Sequence, residues 1–188
     1  MLQEHSHLVI DSVALPASVA QDERAARARI AMCACPGGRR FQAPDYDPSR
    51  DLARDLNDIQ HSGARVLVSL IEDEEIGFLG LYELPHLVAQ HDLIWTHLPI
   101  RDMGVPDKRF EARWLEEGER IRSMLRGGET VVLHCLAGLG RTGTIAARLL
   151  VEFGMEPEAA IVRVRDARPG AIQTRKQELH VLRSKPIT

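Results

Sequence analysis

The chain has 188 residues, with 24 Lys and Arg against 27 Asp and Glu, and its formal net charge is −3. This length suits one domain over residues 1–188, and the weak acidity gives no electrostatic footprint for nucleic acid or an anionic membrane. No apolar run approaches the roughly 20 residues of a spanning helix, and the first residues are too polar for a secretory signal. Three cysteines suit a reducing compartment better than a disulfide framework, so we expect a cytoplasmic, monomeric protein.

The first half of the chain alternates between strand-like and helical segments. Apolar runs predict strands at 8–13, 29–35 and 66–71. The helical spacing of Leu52, Leu56 and Ile59 predicts a helix over 49–62, which Gly63 ends. Short helices are predicted at 74–81 and 85–90, an exposed loop at 39–48, and a peripheral or flexible extension over about 1–24.

The second half repeats this alternation and carries two loops rich in chemically active residues. Strands are predicted at 93–100 and 130–134, and helices at about 110–125, 142–153 and 157–167, with Thr174 as the cap of a last helix. This order predicts an α/β fold with a parallel-rich central sheet and helices on both faces. The loops at 99–106 and 134–142 follow strands, and ligands of such sheets bind beyond the carboxyl ends of the strands.

The segment from Cys135 to Arg141 has the features of a phosphate cradle with a reactive thiol. A glycine-containing turn that enters a helix can aim consecutive backbone N–H groups at an anion. Arg141 can add a planar, two-pronged donor, and the same positive surroundings favour the thiolate of Cys135. The predicted phosphate-binding residues are Leu136, Ala137, Gly138, Leu139, Gly140 and Arg141.

Two neighbours of the segment complete this interpretation. Thr142 can donate a hydrogen bond to the sulfur when it leaves, and the ring N–H of His134 can hold the turn. A nucleotide-binding P-loop is the nearest alternative, because Gly138 to Thr144 is superficially similar. The segment lacks the lysine that such a loop requires, so we reject it.

A phosphocysteine route needs a carboxylic acid to protonate the leaving group. Asp102 lies just after the predicted strand at 93–100, on a loop that contains Pro and Gly. Asp107 is the alternative on the same loop, although its position suits the N-terminal cap of the next helix. The residues alone leave the choice between them open.

A Cys-x5-Arg loop flanked by His and Thr-Gly, between a strand and a helix, resembles the signature of the protein tyrosine and dual-specificity phosphatases. The wider sequence resembles the kinase-associated, cyclin-dependent kinase inhibitor-type members of that group, in particular bacterial ones, over about 25–183. The segments that carry this resemblance are 30–37, 97–102, 105–107, 134–143 and 168–174 with Gln177.

This resemblance implies a PTP-like cysteine-phosphatase fold and a role for each matching residue. Cys135 would be the nucleophile, Arg141 the phosphate ligand and Asp102 the general acid, and either Gln173 or Gln177 would pack behind the site. The expected activity is the hydrolysis of phosphotyrosine and phosphoserine or phosphothreonine in protein or peptide substrates, with no cofactor and no metal. The acidic run 72–75 has no role assigned by the resemblance.

Other interpretations of the same residues remain open. The cradle could belong to a catalytically weak phosphopeptide-binding module, or to a phosphatase that acts on a non-protein phosphoester. An arsenate reductase is disfavoured because its loop lies near the N-terminus, with paired cysteines after it. Cys33 and Cys35 are expected to be buried near the site, where one of them could form a reversible disulfide with Cys135.

Overall fold

The computed structural model describes residues 7–19, 23–38 and 51–187. The loop predicted at 39–48 and the first residues of the helix predicted at 49–62 lie outside the described residues. The described chain forms one five-stranded sheet with strand order β1-β2-β5-β3-β4. The strands are β1 Ile10–Ala14, β2 Arg29–Cys33, β3 Ala64–Ser69, β4 Ile94–His97 and β5 Thr130–His134.

The direction of the strands places the loops at 99–106 and 134–142 at one edge of the sheet. Only the edge pair β1 and β2 is antiparallel, while β2 with β5, β5 with β3, and β3 with β4 are parallel. The carboxyl ends of four strands therefore meet at the same edge. Successive residues of β3 (Val66–Ser69) and of β5 (Val131–His134) are all buried, so both faces of the sheet centre are covered.

The helices begin and end at the signals that the sequence carries. Asp51, Asp107 and Thr174 cap the helices that follow them through side-chain oxygens, and Gly63 ends the first helix in the left-handed region at φ +80°. Ala25–Arg27 forms a short 3₁₀ turn. The helices are α1 Leu52–His61, α2 Asp73–Leu79, α3 Leu84–Gln90, α4 Lys108–Arg126, α5 Gly140–Glu152, α6 Pro157–Ala167 and α7 Arg175–Leu182.

Most element ends differ from the prediction by one to three residues, and three of the differences have a local cause. The strand predicted at 29–35 ends at Cys33, because the backbone N–H of Cys35 donates to the carbonyl of Leu136 in the loop after β5. The strand predicted at 93–100 is assigned only to Ile94–His97, because beyond it Leu98 and Ile100 donate to the consecutive carbonyls of Ser69 and Leu70, and the regular register of the ladder is lost. The helix predicted from 142 begins at Gly140, because the N–H of Gly143 already bonds to the carbonyl of Leu139.

A buried ion cluster joins α4 to α5 behind the sheet. Glu152 accepts hydrogen bonds from Arg122 at 2.6 Å, from Arg148 at 2.8 Å and from the indole N–H of Trp114 at 2.8 Å. The side chains of Arg122 and Glu152 are almost fully buried. The cluster therefore satisfies the charges that α4 and α5 bury against each other.

In the part of the chain described, no helix has the length and apolarity needed to cross a membrane. The same residues contain no group of three His, Cys, Asp or Glu side chains placed to hold a metal ion.

Candidate active site

The structure brings the two loops together at the carboxyl edge of the sheet. Cys135 directly follows β5, and Asp102 lies on the loop after β4. The Oδ1 atom of Asp102 lies 3.0 Å from Nη2 of Arg141, which belongs to the first turn of α5. Asp102, rather than Asp107, therefore meets the Cys-x5-Arg loop, whereas Asp107 caps α4 through Arg109 and Phe110. We call residues 135–141 the phosphate loop.

Arg168 holds two carbonyl groups of the phosphate loop from outside. Its Nε donates to the carbonyl of Gly138 at 2.7 Å, and its Nη2 donates to the carbonyl of Ala137 at 3.3 Å. Asp11 of β1 holds the third branch of the same guanidinium, with Nη1 and Oδ2 at 2.7 Å. The edge strand and the end of α6 thus fix the middle of the loop.

Backbone donors hold two further carbonyl groups of the loop. The carbonyl of Leu136 accepts the N–H of Cys35 at 3.0 Å. The carbonyl of Leu139 accepts the N–H of Gly143 at 2.9 Å and that of Ile172 at 3.2 Å. With the contact from the His134 ring to the carbonyl of Cys135 at 3.1 Å, every carbonyl from 135 to 139 has a partner.

This pattern determines where the N–H groups of the loop point. In a trans peptide the C=O and the following N–H point in opposite directions, and no described peptide bond is cis. Because the carbonyl groups are engaged by partners around the loop, the N–H groups are directed away from those partners, toward the interior of the turn. They belong to Leu136, Ala137, Gly138, Leu139 and Gly140.

Gly138 is required by both its conformation and its surroundings. Its φ is +69°, in the left-handed region that side chains disfavour. A Cβ atom at this position would lie 2.2 Å from the carbonyl oxygen of Cys33 and 2.7 Å from the nitrogen of Ala34. The phosphate loop can therefore pack directly on the end of β2.

Arg141 is held by a bidentate ion pair that the sequence did not reveal. Glu75 of α2 accepts from Nη1 at 2.5 Å and from Nη2 at 2.9 Å, and the carbonyl of Ile100 accepts from Nη1 at 3.1 Å. Burial alone would lower the pKa of Arg141, but the Glu75 hydrogen bond and the nearby Cys135, Glu75 and Asp102 outweigh it and raise the pKa. The guanidinium therefore stays charged in its buried position.

The contacts of Arg141 leave one edge of its guanidinium open to an anion. Glu75 occupies the end of the fork, between Nη1 and Nη2. The Nε–H has no hydrogen-bond partner among residues 7–19, 23–38 and 51–187, and Nη2, which already donates to Glu75, also lies 3.0 Å from Oδ1 of Asp102. The edge formed by Nε and Nη2 matches the geometry of two phosphate oxygens.

The acidic run that precedes α2 also holds the loop of Asp102. The backbone N–H of Glu72 donates to Glu75 at 2.8 Å, within a capping box at the start of α2. A carboxylate oxygen of Glu72 accepts the backbone N–H of Asp102 at 3.1 Å. The spacing of Glu72 and Glu75 is the sequence signal that could have predicted this cap, although not the ion pair with Arg141.

His134 lies beneath the phosphate loop in a buried chain of hydrogen bonds. The indole N–H of Trp95 donates to Ser69 Oγ at 2.8 Å, and Ser69 Oγ lies 2.5 Å from Nε2 of His134. Because this hydroxyl accepts from the indole, it can donate its hydrogen to Nε2, which places the imidazole hydrogen on Nδ1. Nδ1–H then donates to the carbonyl of Cys135.

The same surroundings keep this imidazole neutral. Burial, together with the nearby Arg141 and His97 charges, lowers the pKa of His134 to about 4, although the hydrogen bond to Cys135 and the charge of Glu75 act in the opposite direction. A neutral ring has one N–H and one acceptor nitrogen, which are the two roles that its neighbours require.

Thr142 and the two predicted glutamines differ in how fully they are engaged. Thr142 Oγ1 is buried and has no hydrogen-bond partner within the described residues. The carboxamide of Gln177 is buried and used: its oxygen accepts the N–H groups of Gln173 and Thr174, and its nitrogen donates to the carbonyl of Gly104 on the Asp102 loop. Gln177 therefore ties α7 to that loop.

Gln173 is exposed, and its side chain lies over Gly140. A Cβ atom on Gly140 would lie 2.7 Å from Oε1 of Gln173 and 3.0 Å from Nε2 of Gln177. Both glutamines therefore pack against the end of the phosphate loop. Gln173 is the one whose side chain remains open to solvent.

The thiols of Cys33 and Cys35 are buried, form no disulfide and lie beside the nucleophile candidate. Cys33 is the register partner of His134 in β5. Burial and the proximity of Cys33, Cys135, Glu75 and Asp55 raise the pKa of the Cys35 thiol. Cys35 is accordingly a neutral thiol close to Cys135.

Comparison with known proteins gives a consistent picture. Residues 43–155 match the family described as "Polymorphic toxin system, DSP-PTPase phosphatase". Cyclin-dependent kinase inhibitor 3 of Rattus norvegicus is 32% identical over 161 residues, which cover 83% of this chain and 72% of that protein. The Homo sapiens protein of the same name is 33% identical over the same coverage.

Solved structures agree with this match over most of the chain. A kinase-associated phosphatase whose catalytic-site cysteine was replaced by serine is 29% identical, with a TM-score of 0.78 over 95% of this chain and 94% of that chain. A putative protein tyrosine phosphatase from Leishmania major has a TM-score of 0.67 over 96% of this chain and 99% of that chain. At 22% identity, the second comparison shows the shared fold alone.

Proposed function

Because this chain belongs to the dual-specificity phosphatase family and is a phosphatase hydrolase, we propose that it removes phosphate from phosphotyrosine and from phosphoserine or phosphothreonine in proteins, through a phosphocysteine intermediate. The observation that carries this proposal is the outward engagement of all carbonyls from 135 to 139, which directs the N–H groups of 136–140 inward. Such a ring of donors suits the three non-bridging oxygens of a phosphomonoester.

In the first step the Cys135 thiolate attacks the phosphorus. A sulfur–phosphorus bond forms while the ester oxygen leaves with its electron pair and takes a proton from Asp102. The inward N–H groups and the open edge of Arg141 hold the non-bridging oxygens, whose charge shifts as the bonds change. Glu75 keeps Arg141 in this orientation throughout.

The ion pair between Asp102 and Arg141 explains how substrate could prepare the acid. In the ligand-free arrangement Asp102 shares Nη2 of Arg141, and its side chain is 57% exposed. A bound phosphate competes for that N–H and brings negative charge close to Asp102. Both changes weaken the contact between Asp102 and Arg141 and release the carboxyl group toward the leaving oxygen.

In the second step water attacks the phosphocysteine. Asp102, now a carboxylate, takes a proton from the water, a phosphorus–oxygen bond forms, and the sulfur–phosphorus bond breaks to return the thiolate and inorganic phosphate. Thr142 Oγ1, buried without a partner in the described chain, is available to donate to the departing sulfur. Gln173, exposed beside Gly140, is placed to contact the water or the substrate.

His134 acts in this mechanism through position rather than charge. As a neutral ring between Ser69 and the carbonyl of Cys135, it holds the first peptide of the phosphate loop. We also propose a cytoplasmic, monomeric enzyme that needs no metal or other cofactor. An odd number of cysteines, three in this chain, suits a reducing compartment.

Leaving groups of different strength test the proposed acid. Asp102→Asn should lower kcat for a phosphotyrosine peptide by roughly 10²–10⁴-fold. It should lower kcat much less for p-nitrophenyl phosphate, whose leaving group needs little protonation. The basic limb of the bell-shaped pH profile should also disappear in this variant, because that limb reports the loss of the acid.

A matched control is available on the same loop. Asp107→Asn removes a carboxylate but keeps a good N-cap for α4, so both substrates should be turned over at the wild-type rate. Cys135→Ser should abolish turnover and still bind vanadate. A Cys135→Ser enzyme with near-normal activity, or an Asp102→Asn variant that loses the same factor on both substrates, contradicts the assignment.

The substrate class is tested with phosphopeptides. Comparison of kcat/KM for phosphotyrosine, phosphoserine and phosphothreonine in one peptide sequence separates a dual-specificity enzyme from a tyrosine-specific one. If phosphopeptides bind without turnover while p-nitrophenyl phosphate is also inert, the cradle is a binding module. If p-nitrophenyl phosphate is hydrolysed and no phosphopeptide is, the substrate is a non-protein phosphoester.

A further inference from the structure

A cavity of about 210 Å³ opens beside the phosphate loop. It shares two walls with the active site, because Leu136 directly follows Cys135 and Glu75 holds Arg141. Its other lining residues are Glu74, Phe78 and Leu79 of α2. A protein substrate whose phosphate lies in the loop must therefore pass next to this cavity.

The floor of the cavity is apolar and includes an exposed aromatic ring. Phe78 is 75% exposed, so its ring lies at the surface beside the half-buried leucines. Leu79 and Leu136 are half-buried and form apolar walls next to it. Apolar surface of this kind next to a binding site is typical of a place where a ligand side chain packs.

The rim of the cavity carries one carboxylate that has no partner in the described part of the chain. Glu75 is committed to Arg141 and to the cap of α2, but Glu74 is exposed and makes no hydrogen bond or ion pair with the described part of the chain. Asp73 and Glu72 precede it. Acidic residues in a first turn are favoured by the helix dipole, yet that preference explains neither the cavity nor the exposed ring.

These features select one chemical type of side chain. A purely apolar side chain would fill the floor but desolvate the Glu74 carboxylate without pairing it. An acidic side chain would be repelled. Arg or Lys satisfies both parts, because the aliphatic stem packs on Leu79 and Leu136 while the cation meets the Phe78 ring and Glu74.

We propose that this cavity is a substrate subsite for an Arg or Lys side chain that neighbours the phosphorylated residue in a protein substrate. The proposal rests on the proposed phosphatase function and specifies its substrates. It also explains how an enzyme with an anion-binding loop can have an acidic rim: the phosphate and the basic neighbour of one substrate meet surfaces of opposite sign.

A peptide series tests the subsite in the full-length protein. In one phosphopeptide, each position within three residues of the phosphorylated one is set in turn to Arg, Lys, Leu, Glu or Ala. An exposed charge pair with a cation–π contact should raise kcat/KM for Arg or Lys over Ala by roughly 3- to 30-fold at one position. The gain should lie mainly in KM, because the contact is remote from the reacting atoms.

Charge reversal gives the sharper result. Glu74→Lys should remove the preference for Arg and produce a preference for Glu at the same peptide position. Phe78→Ala should weaken the preference for Arg without reversing it. Each variant's peptide rates are divided by its own rate with p-nitrophenyl phosphate, so that any general loss of activity cancels.

Glu158→Lys is a matched control. Glu158 occupies the same position in the first turn of α6 as Glu74 does in α2, it is exposed, and the change alters net charge equally. It lies ten residues before Arg168, along the length of α6, so it is remote from the phosphate loop. This variant should keep the wild-type preference for Arg.

The outcomes separate the subsite from the function on which it depends. Wild-type enzyme that hydrolyses p-nitrophenyl phosphate and phosphopeptides without preferring Arg or Lys at any position refutes the subsite alone. A preference for Leu, or an equal loss of the preference in Glu74→Lys and Glu158→Lys, also refutes it. Failure to hydrolyse any of these substrates refutes both proposals.

Discussion

Replacing Glu75 by Gln removes the negative charge opposite Arg141 while keeping the length of the side chain. Gln can still accept one hydrogen bond, and it remains suitable for the capping box at the start of α2. Its NH₂ group, however, would face an N–H of Arg141 instead of accepting from it. The variant therefore isolates the ion pair from the cap of the helix.

The structure sets the size of the expected effect. Arg141 is 2% exposed and donates to Glu75 at 2.5 and 2.9 Å, and charge-assisted hydrogen bonds of this kind contribute roughly 1.5–3 kcal/mol each. Asp102, 3.0 Å from Nη2, can compensate in part. We expect the free energy of unfolding to fall by about 1–3 kcal/mol.

The effect on catalysis should exceed what instability alone would cause. With Glu75 neutral, Asp102 becomes the main counterion of Arg141. Arg141 is then less available to bind phosphate, and Asp102 is less available to protonate the leaving group. We expect kcat/KM for p-nitrophenyl phosphate to fall by roughly 10- to 100-fold, with about 1.4 kcal/mol per factor of ten. The inhibition constant for inorganic phosphate should rise as well, since the same guanidinium edge binds it.

Urea unfolding followed by tryptophan fluorescence, together with steady-state kinetics, measures both quantities. Glu158→Gln is the control, because it neutralises an exposed carboxylate in the first turn of another helix. If Glu75→Gln retains kcat/KM within twofold of the wild type with unchanged phosphate inhibition, then Glu75 does not position Arg141.

Three further predictions follow from other buried groups. The pKa of His134, about 4 in the fold against about 6.5 unfolded, means that its contribution to stability is complete above pH 6.5 and is lost as pH falls toward 4. Between pH 7.5 and 5 the free energy of unfolding should therefore fall by about 2 kcal/mol, and this fall should be absent from His134→Asn. An NMR titration in which His134 titrates near 6.5 would contradict the prediction. Glu152→Ala removes the buried partner of Arg122, which keeps only the half-exposed Glu119, and should cost up to about 3–5 kcal/mol in urea unfolding; a cost below about 1 kcal/mol would show that the cluster adds little. Mild peroxide should convert Cys135 to a sulfenic acid, and attack by the Cys35 thiol should then form a Cys35–Cys135 disulfide with loss of water. If non-reducing mass spectrometry finds no such disulfide, Cys35 does not protect Cys135 from further oxidation.

The fold was accessible from the sequence because its signals are local. The apolar runs at β3 and β5, the spacing of the helices and the caps at Asp107 and Thr174 depend on residues a few positions apart. The element ends were less accessible, since β2 stops at Cys33 only because Cys35 donates to a loop 100 residues away. An interaction of that range leaves no periodic trace.

The residues of the candidate site also divide into those with a local sequence signal and those whose role depends on long-range contacts. Cys135 and Arg141 lie in one short segment between a strand and a helix, and their place in that pattern located them. Asp102 was preferred to Asp107 only through the family resemblance. Glu75 could not be located from the sequence, because an acidic residue in the first turn of a helix is ordinary, and only the folded chain shows that it faces Arg141. The role of Ser69 could not be predicted either, because a single polar residue at the end of an apolar run gives no sign that it contacts His134.

The residues that orient the phosphate loop lie mostly outside its signature. Four carbonyl groups of the loop accept hydrogen bonds from residues of other segments. Arg168 donates to the carbonyls of 137 and 138, Cys35 donates to that of 136, and Ile172 donates to that of 139. The inward direction of the N–H groups follows from those outside contacts, because a peptide whose carbonyl is free can rotate. An intact Cys-x5-Arg sequence is therefore insufficient to orient the loop, and what holds the loop in this chain is the set of distant donors, with Asp11 behind Arg168.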